Sequence, residues 1–242
     1  DGETTLVVGF DQDFPPYGYV GEDGEFTGYD LELAAEVAKR LELEIKYQPI
    51  DWDAKDMELD SGTIDLIWNG FTMEKREDLY TWTEAYKEAG QVVLVAADSG
   101  IEKLSDLAGK VVAVQTDSAG LTALEDEANV ELTASFKELV IVPDYNTAFM
   151  DLEAGAIDAI VMDVDVAKYQ IKDREDDYAI LEEFIQKESY GVGFKLGNEA
   201  LRDKVQKALD EMAKDGFIQE LSTEYFDVDT CVLTACKETA EK

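Results

Sequence analysis

In this chain, polar residues able to hold a small charged molecule stand at the ends of apolar runs. Asp11 and Asp13 follow Thr5 to Phe10, with Phe14 and Tyr17 beside two prolines. Trp52 follows Glu44 to Ile50, while Asn69, Gly70 and Thr72 follow the run that ends at Trp68, with Arg76 close by. Gln115, Thr116, Asp117 and Ser118 come at the end of a run that starts at Val111, and Asp163 closes Ala159 to Met162. One Arg among several hydroxyl and amide donors suits a carboxylate, because guanidinium pairs with it bidentately. Asp163 suits an ammonium group. Phe14 and Trp52 can hold a side chain between flat faces, with Asp11 at its far end. Each also has an ordinary reading: Arg76 as a surface charge, the two aromatics as core, Asp163 as a helix N-cap.

Composition removes whole classes of function. The 242 residues contain no His, which excludes every triad, dyad or metal site that needs imidazole. Lys and Arg total 21 against 56 Asp and Glu, a formal net charge of -35. That charge opposes a phosphate backbone, so no nucleic-acid partner is expected, and it disfavours anionic lipid surfaces. Gly109-Lys110 lacks the rest of a P-loop, no GxGxxG follows a strand, and Asp163-Val164-Asp165 lacks the Gly and distal Glu of a calcium loop. No catalytic residue, metal or cofactor is therefore expected.

One stretch is stated twice, and it organises the elements that carry these residues. Leu59 to Gly70 reads LDSGTIDLIWNG and Leu152 to Asp163 reads LEAGAIDAIVMD, 93 residues apart. Each reads as the last turn of a helix, a Gly stop and a short apolar strand. Thr5 to Phe10 and Val111 to Gln115 read as the opening strands of two α/β units, and Val20 to Gly28 as a hairpin around Asp23-Gly24. Tyr29 to Leu41 carries a helical apolar stripe with Asp30 as N-cap, and Thr116-Asp117-Ser118-Ala119-Gly120 is followed by a helix to about Ala128. Glu183 to Ser189 reads as a polar run, and Glu199 to Tyr225 as amphipathic helix broken at Gly216. No element is assigned beyond Phe226. Two lobes are expected, residues 1–90 with 191–242 and residues 91–190, joined by a two-stranded hinge that permits rigid-body closure. Ligands of open α/β sheets sit beyond the carboxyl ends of the strands, so facing strand ends would make a cleft.

Cys231 and Cys236 can form a local bridge or remain thiols. No apolar run approaches the roughly 18 residues that span a bilayer. The polar start DGETT carries no signal peptide, so any export signal is expected to have been removed or never present.

Residues 5 to 226 resemble the amino-acid-binding family of extracytoplasmic solute-binding proteins that serve ABC importers. The matching pieces are GFDQDFPPYGYVGEDGEFTGYDLELAAEVAKRL, DWD, SGTIDLIWNGFTMEKRE, DLAGKVVAVQTDS, AGAIDAIVMDVDVAKY and ESYGVGFK. The resemblance implies the type II periplasmic binding-protein fold, two α/β lobes closing over a ligand. It gives Arg76 the ligand α-carboxylate, with Asn69, Gly70 and Thr72 lining that end. The second-lobe loop from Thr116 to Ala119, including Ser118 and next to Gln115, completes the carboxylate site, and Asp163 takes the α-ammonium. Asp11, Phe14 and Trp52 match positions that contact the ligand side chain. Two departures stand out: Thr72 and Arg76 are four apart where the family often has five, and Asp117 replaces a common Gly.

The expected function is therefore extracytoplasmic binding, without turnover, of a free polar L-amino acid for a membrane permease, in the periplasm or lipid-anchored at the outer face of the cytoplasmic membrane. The protein is expected to act as a monomer. Asp11 with the aromatic pair favours a basic side chain; glutamine or another neutral polar amino acid is the alternative. A dehydratase-type enzyme on the same fold and a receptor sensory domain are the rivals.

Overall fold

A computed structural model describes residues 4–240 of the chain. They divide into two compact units, one formed by the chain up to Glu88 and from Ser189 onward, the other by Ala89–Glu188. The first unit opens with β1 (Thr5–Phe10), the small strands β2 (Asp13–Phe14), β3 (Gly18–Val20) and β4 (Phe26–Thr27), and helix α1 (Tyr29–Arg40). It continues with β5 (Glu44–Pro49), a 3-10 turn at Trp52–Ala54, α2 (Lys55–Ser61), β6 (Leu66–Ile67) and β7 (Thr81–Trp82). The second unit holds β8 (Lys87–Ala96), β9 (Val111–Gln115), α3 (Ala119–Glu125), α4 (Val130–Ser135), β10 (Glu138–Val142), α5 (Tyr145–Glu153), β11 (Ala159–Asp163), α6 (Val164–Gln170), β12 (Tyr178–Ile180) and β13 (Gln186–Tyr190). The chain passes from unit to unit within β8 and within β13, then adds β14 (Gly193–Phe194), α7 (Glu199–Asp215), α8 (Phe217–Phe226) and α9 (Thr234–Ala240) to the first.

The repeated stretch does the same work in both units. Gly62 and Gly155 end α2 and α5 with φ of 78° and 72°, values that suit glycine. The next Asp exchanges hydrogen bonds with the opening strand. Asp65 N–H donates to the Val7 carbonyl at 2.9 Å, and its Oδ2 accepts from Val7 N–H at 2.7 Å. Asp158 repeats this with Val111 at 2.8 Å in both directions. The parallel order β5-β1-β6 in one sheet matches β10-β9-β11 in the other. Antiparallel strands extend each sheet, β14 and β7 in the first, β8 and β12 in the second, where β13 also pairs with β8.

The cores follow from the apolar runs. Val93, Val112, Val114, Ala159 and Val161 bury one sheet face against Leu107 and Leu124. Trp52, Leu59, Ile64, Ile67, Phe71 and Trp82 form a core cluster of the first unit. Leu201, Val205, Leu209 and Met212 are the buried stripe of α7.

Several expectations are corrected. Asp30 does not cap α1; Gly28 occupies that position with no side-chain cap, and Asp30 turns inward from the first turn. The helix expected to run to about Ala128 stops at Glu125, and a separate α4 follows. The polar run before Ser189 contains β13, whose alternate residues Glu188 and Tyr190 are buried. Beyond Phe226, where no element was assigned, the chain forms α9, and of the two states left open for Cys231 and Cys236 the structure has the disulfide.

Asp65→Ala and Asp158→Ala should each lower unfolding stability by about 1–2 kcal/mol, because a partly buried N–H loses its acceptor. Urea unfolding of each variant measures this, and an unchanged midpoint for either would remove the pinning role.

Candidate functional site

The site of the first unit is built on the loops that leave β1, β5 and β6. Asp11 is 6% exposed, and its Oδ1 accepts the Asp13 N–H at 2.8 Å, which orients the carboxylate. Phe14 stacks on Tyr17 with ring centroids 5.8 Å apart. Gly70 has φ of 54°, and a Cβ there would come within 3.1 to 3.2 Å of Phe14, Tyr17 and Tyr190, so the position is held to glycine by backbone and space alike. Asn69 is buried, and its Oδ1 has no hydrogen-bond partner among the described residues. Trp52 meets Phe71 edge-to-face at 5.5 Å.

Arg76 is 8% exposed, so the surface-charge alternative is gone. Its guanidinium lies 5.2 Å from the Phe71 ring centroid, and Nη1 donates to the Thr72 carbonyl at 3.4 Å. The four-residue spacing from Thr72 is accommodated by a tight turn: Arg76 N–H donates to the Met73 carbonyl at 3.0 Å, and Lys75 takes a φ of 65°. The segment is stitched to the chain where it re-enters this unit. Met73 N–H donates to the Ser189 carbonyl at 2.9 Å, Gly191 N–H to the Phe71 carbonyl at 3.1 Å, and Thr72 bridges Tyr190.

Three positions here escaped sequence reasoning: Asp30, Tyr86 and Lys55. Asp30 is wholly buried; its two oxygens accept from Gly70 N–H at 2.5 Å and from Tyr86 Oη at 2.8 Å. Burial pushes its carboxyl up to about 7, against the lowering effect of Gly70, Tyr86 and Lys87. Burial, and then the neighbouring Asp30, also raise the Tyr86 hydroxyl and keep it a donor. Lys55 is 2% exposed and sits against Trp52. The Asp30 contacts span 40 and 56 positions, a separation that leaves no local signal.

The second unit presents its own set. Gln115 ends β9, is buried, and donates from Nε2 to the Pro143 carbonyl at 3.1 Å. Ser118 caps α3, accepting from Leu121 N–H at 3.1 Å and donating to the Gln115 carbonyl at 2.7 Å. Ala119 is the first residue of that helix and half-buried. Asp117, in place of the family's common Gly, is exposed with φ of 52°, a conformation that Asp tolerates better than most residues. Asp163 is 1% exposed and does cap α6, its Oδ1 accepting from Asp165 and Val166 N–H at 2.8 Å. Opposite it in register is Gln91, buried and bonded to Glu188 at 3.0 Å, another pair that sequence reasoning did not single out. Among the described residues no cluster of three His, Cys, Asp or Glu is arranged to hold a metal.

The model of the bacterial extracellular solute-binding proteins, family 3, matches residues 6–228. The chain belongs to this family. It is 33% identical over 228 residues to the L-cystine-binding protein TcyJ of Escherichia coli K12, covering 93% of this chain and 84% of that one. It is 28% identical over 231 residues to the arginine-binding extracellular protein ArtP of Bacillus subtilis 168, covering 93% and 87%. Among solved structures, an ABC uptake transporter substrate-binding protein of Streptococcus pneumoniae with bound histidine superposes with a TM-score of 0.89 at 32% identity, over 95% of each chain. The type II periplasmic binding-protein fold expected of a family 3 member is thus the fold of this chain.

The Asp30 clamp gives the family 3 loop a pH signature. A raised folded pKa means that the folded chain holds the proton more tightly than the unfolded one, whose carboxyl titrates near 3.9. The associated stability is complete below that value and is lost as pH rises through about 7. Asp30→Asn should flatten the fall of melting temperature between those pH values relative to the parent; parallel curves would refute the clamp as its source.

Proposed function

We propose that this protein is the extracytoplasmic receptor of an amino-acid ABC importer and binds a free L-amino acid with a polar side chain. The observation that carries the reading is Arg76, a guanidinium buried in the loop between β6 and β7 beside the Thr72 carbonyl and the Phe71 ring. A buried guanidinium in a strand-end loop is suited to a carboxylate. Asp163, with Gln115, Ser118 and Ala119 of the second unit, takes the same ligand, its carboxylate opposing the α-ammonium. A carboxylate has two oxygens, so capping α6 and binding an ammonium do not exclude each other. Asn69, Gly70 and Thr72 line the carboxylate end, and Asp11, Phe14 and Trp52 the side chain.

A basic side chain is favoured by Asp11, a buried carboxylate on the loop that also carries Phe14. Relatives named for arginine, and a neighbour holding histidine, agree with that choice. Binding without turnover is the reading that membership of a solute-binding family supports. It acts as a monomer outside the cytoplasmic membrane, free or lipid-anchored, and delivers its ligand to a permease.

Arg76→Ala should weaken amino-acid binding by about 2–5 kcal/mol, because a ligand carboxylate is left buried and unpaired. Isothermal titration of the parent's best ligand reads this directly, and near-parental affinity would overturn the assignment. Asp163→Asn separates the two roles of that residue. Asn caps as well as Asp, so the ligand-free melting temperature should hold while affinity falls; retained affinity would reduce Asp163 to a cap.

A further inference from the structure

Glu188 and Ser189 are consecutive residues of β13, and the chain returns from the second unit to the first between them. Each is fastened to its own unit. The Glu188 carboxylate is buried and accepts from Gln91 Nε2 at 3.0 Å and from Gln186 Nε2 at 3.1 Å. Ser189 is gripped at both of its backbone groups by consecutive residues of the first unit. Its carbonyl accepts from Met73 N–H at 2.9 Å, and its N–H donates to Glu74 Oε2 at 2.9 Å. The second of these bonds ends on a side chain, 115 positions away in the sequence.

Met73 and Glu74 open the turn that carries Arg76. That turn closes with Arg76 N–H on the Met73 carbonyl at 3.0 Å, and Lys75 within it takes a φ of 65°. A non-glycine residue in the left-handed region is unfavourable and persists only where its surroundings over-determine it. The far side of the turn is held at the Arg76 carbonyl, which accepts from Leu79 N–H at 3.0 Å and from Trp82 Nε1 at 3.1 Å. The near side is held by the grip on Ser189. There the Met73 bond is backbone and survives any change of side chain, whereas the Glu74 bond depends on the residue type. We infer that Glu74 is a positioning residue for ligand binding, its carboxylate anchoring the Arg76 turn to the returning strand so that the guanidinium keeps its aim. A guanidinium pairs bidentately with a carboxylate only when its plane is held in one orientation. The role needs an acceptor rather than a charge, so a glutamine carbonyl can fill it. The inference rests on the amino-acid reading above and names a residue that acts through Arg76.

The common L-amino acids and L-cystine are titrated calorimetrically into the full chain, and the tightest binder is carried to the variants. Glu74→Met, which keeps the reach and loses the acceptor, should bind it about tenfold more weakly, while Glu74→Gln stays within about twofold of the parent. Amide hydrogen exchange reads the bond itself: protection of the Ser189 N–H should persist in Glu74→Gln and drop in Glu74→Met. Thermal melts establish that the variants are folded at the titration temperature, and Glu74→Ala replaces Glu74→Met if the latter is not. Parental affinity in the variant without an acceptor overturns the inference and leaves the receptor standing. A Glu74→Gln as weak as Glu74→Met overturns it likewise, because binding would then need the charge and not the bond. Silence of the parent toward every ligand overturns the receptor reading, and the positioning role with it.

Discussion

In each unit a single aspartate locks the third strand of the parallel core to the first. Asp65 and Asp158 each give and receive a hydrogen bond at the opening of the first strand, Val7 in one case and Val111 in the other. A parallel ladder has no tight turn to set its register, and these side chains supply one at the amino ends. Everything at the carboxyl ends is then determined by counting. From Asp65 the chain reaches Asn69 and Gly70 at the end of its strand, and from Asp158 it reaches Asp163. Loops bearing polar groups emerge where a parallel sheet presents its ligands.

The loop after β6 must also satisfy its own backbone, and it does so in an unusual way. Asp30, wholly buried on α1, takes the Gly70 N–H and the Tyr86 hydroxyl together. Burying a carboxylate is unfavourable unless its oxygens are occupied by donors, and both are here. The same loop pairs through Phe71, Thr72 and Met73 with Ser189 to Gly191. Arg76 is thus carried on a segment braced by α1 from one side and by the returning strand from another, which suits a group that must hold one geometry.

The fold class was legible because the repeat, the glycine stops and the apolar runs are local signals at helix and strand periods. Helix α7 and its break at Gly216 were readable for the same reason. Features set by distant partners were not. Asp30 at the start of a helix resembles a cap; what turns it inward is Gly70, 40 positions away. Lys55 lies in the charged stretch Asp53-Ala54-Lys55-Asp56, where burial of one member leaves no trace in composition. Strands as short as β7 and β12, and α9, exist by tertiary pairing and packing rather than propensity. For the candidate site, the strand-end rule singled out Arg76 and Asp163 and revealed nothing of Gln91 and Glu188, whose pairing spans 97 positions.

The bridge between Cys231 and Cys236 closes a small loop whose middle, Leu233, is fully buried. The loop is also sewn to the edge of the first unit, with Val232 N–H donating to the Tyr86 carbonyl at 3.4 Å and Thr234 N–H to Glu84 at 3.1 Å. Tyr86, the residue that holds Asp30, therefore has the C-terminal strap on its backbone. Thiol chemistry at the far end of the chain becomes a concern of the ligand loop. In a reducing compartment the strap would open, and the first backbone to lose its fastening would be the one that enters β8.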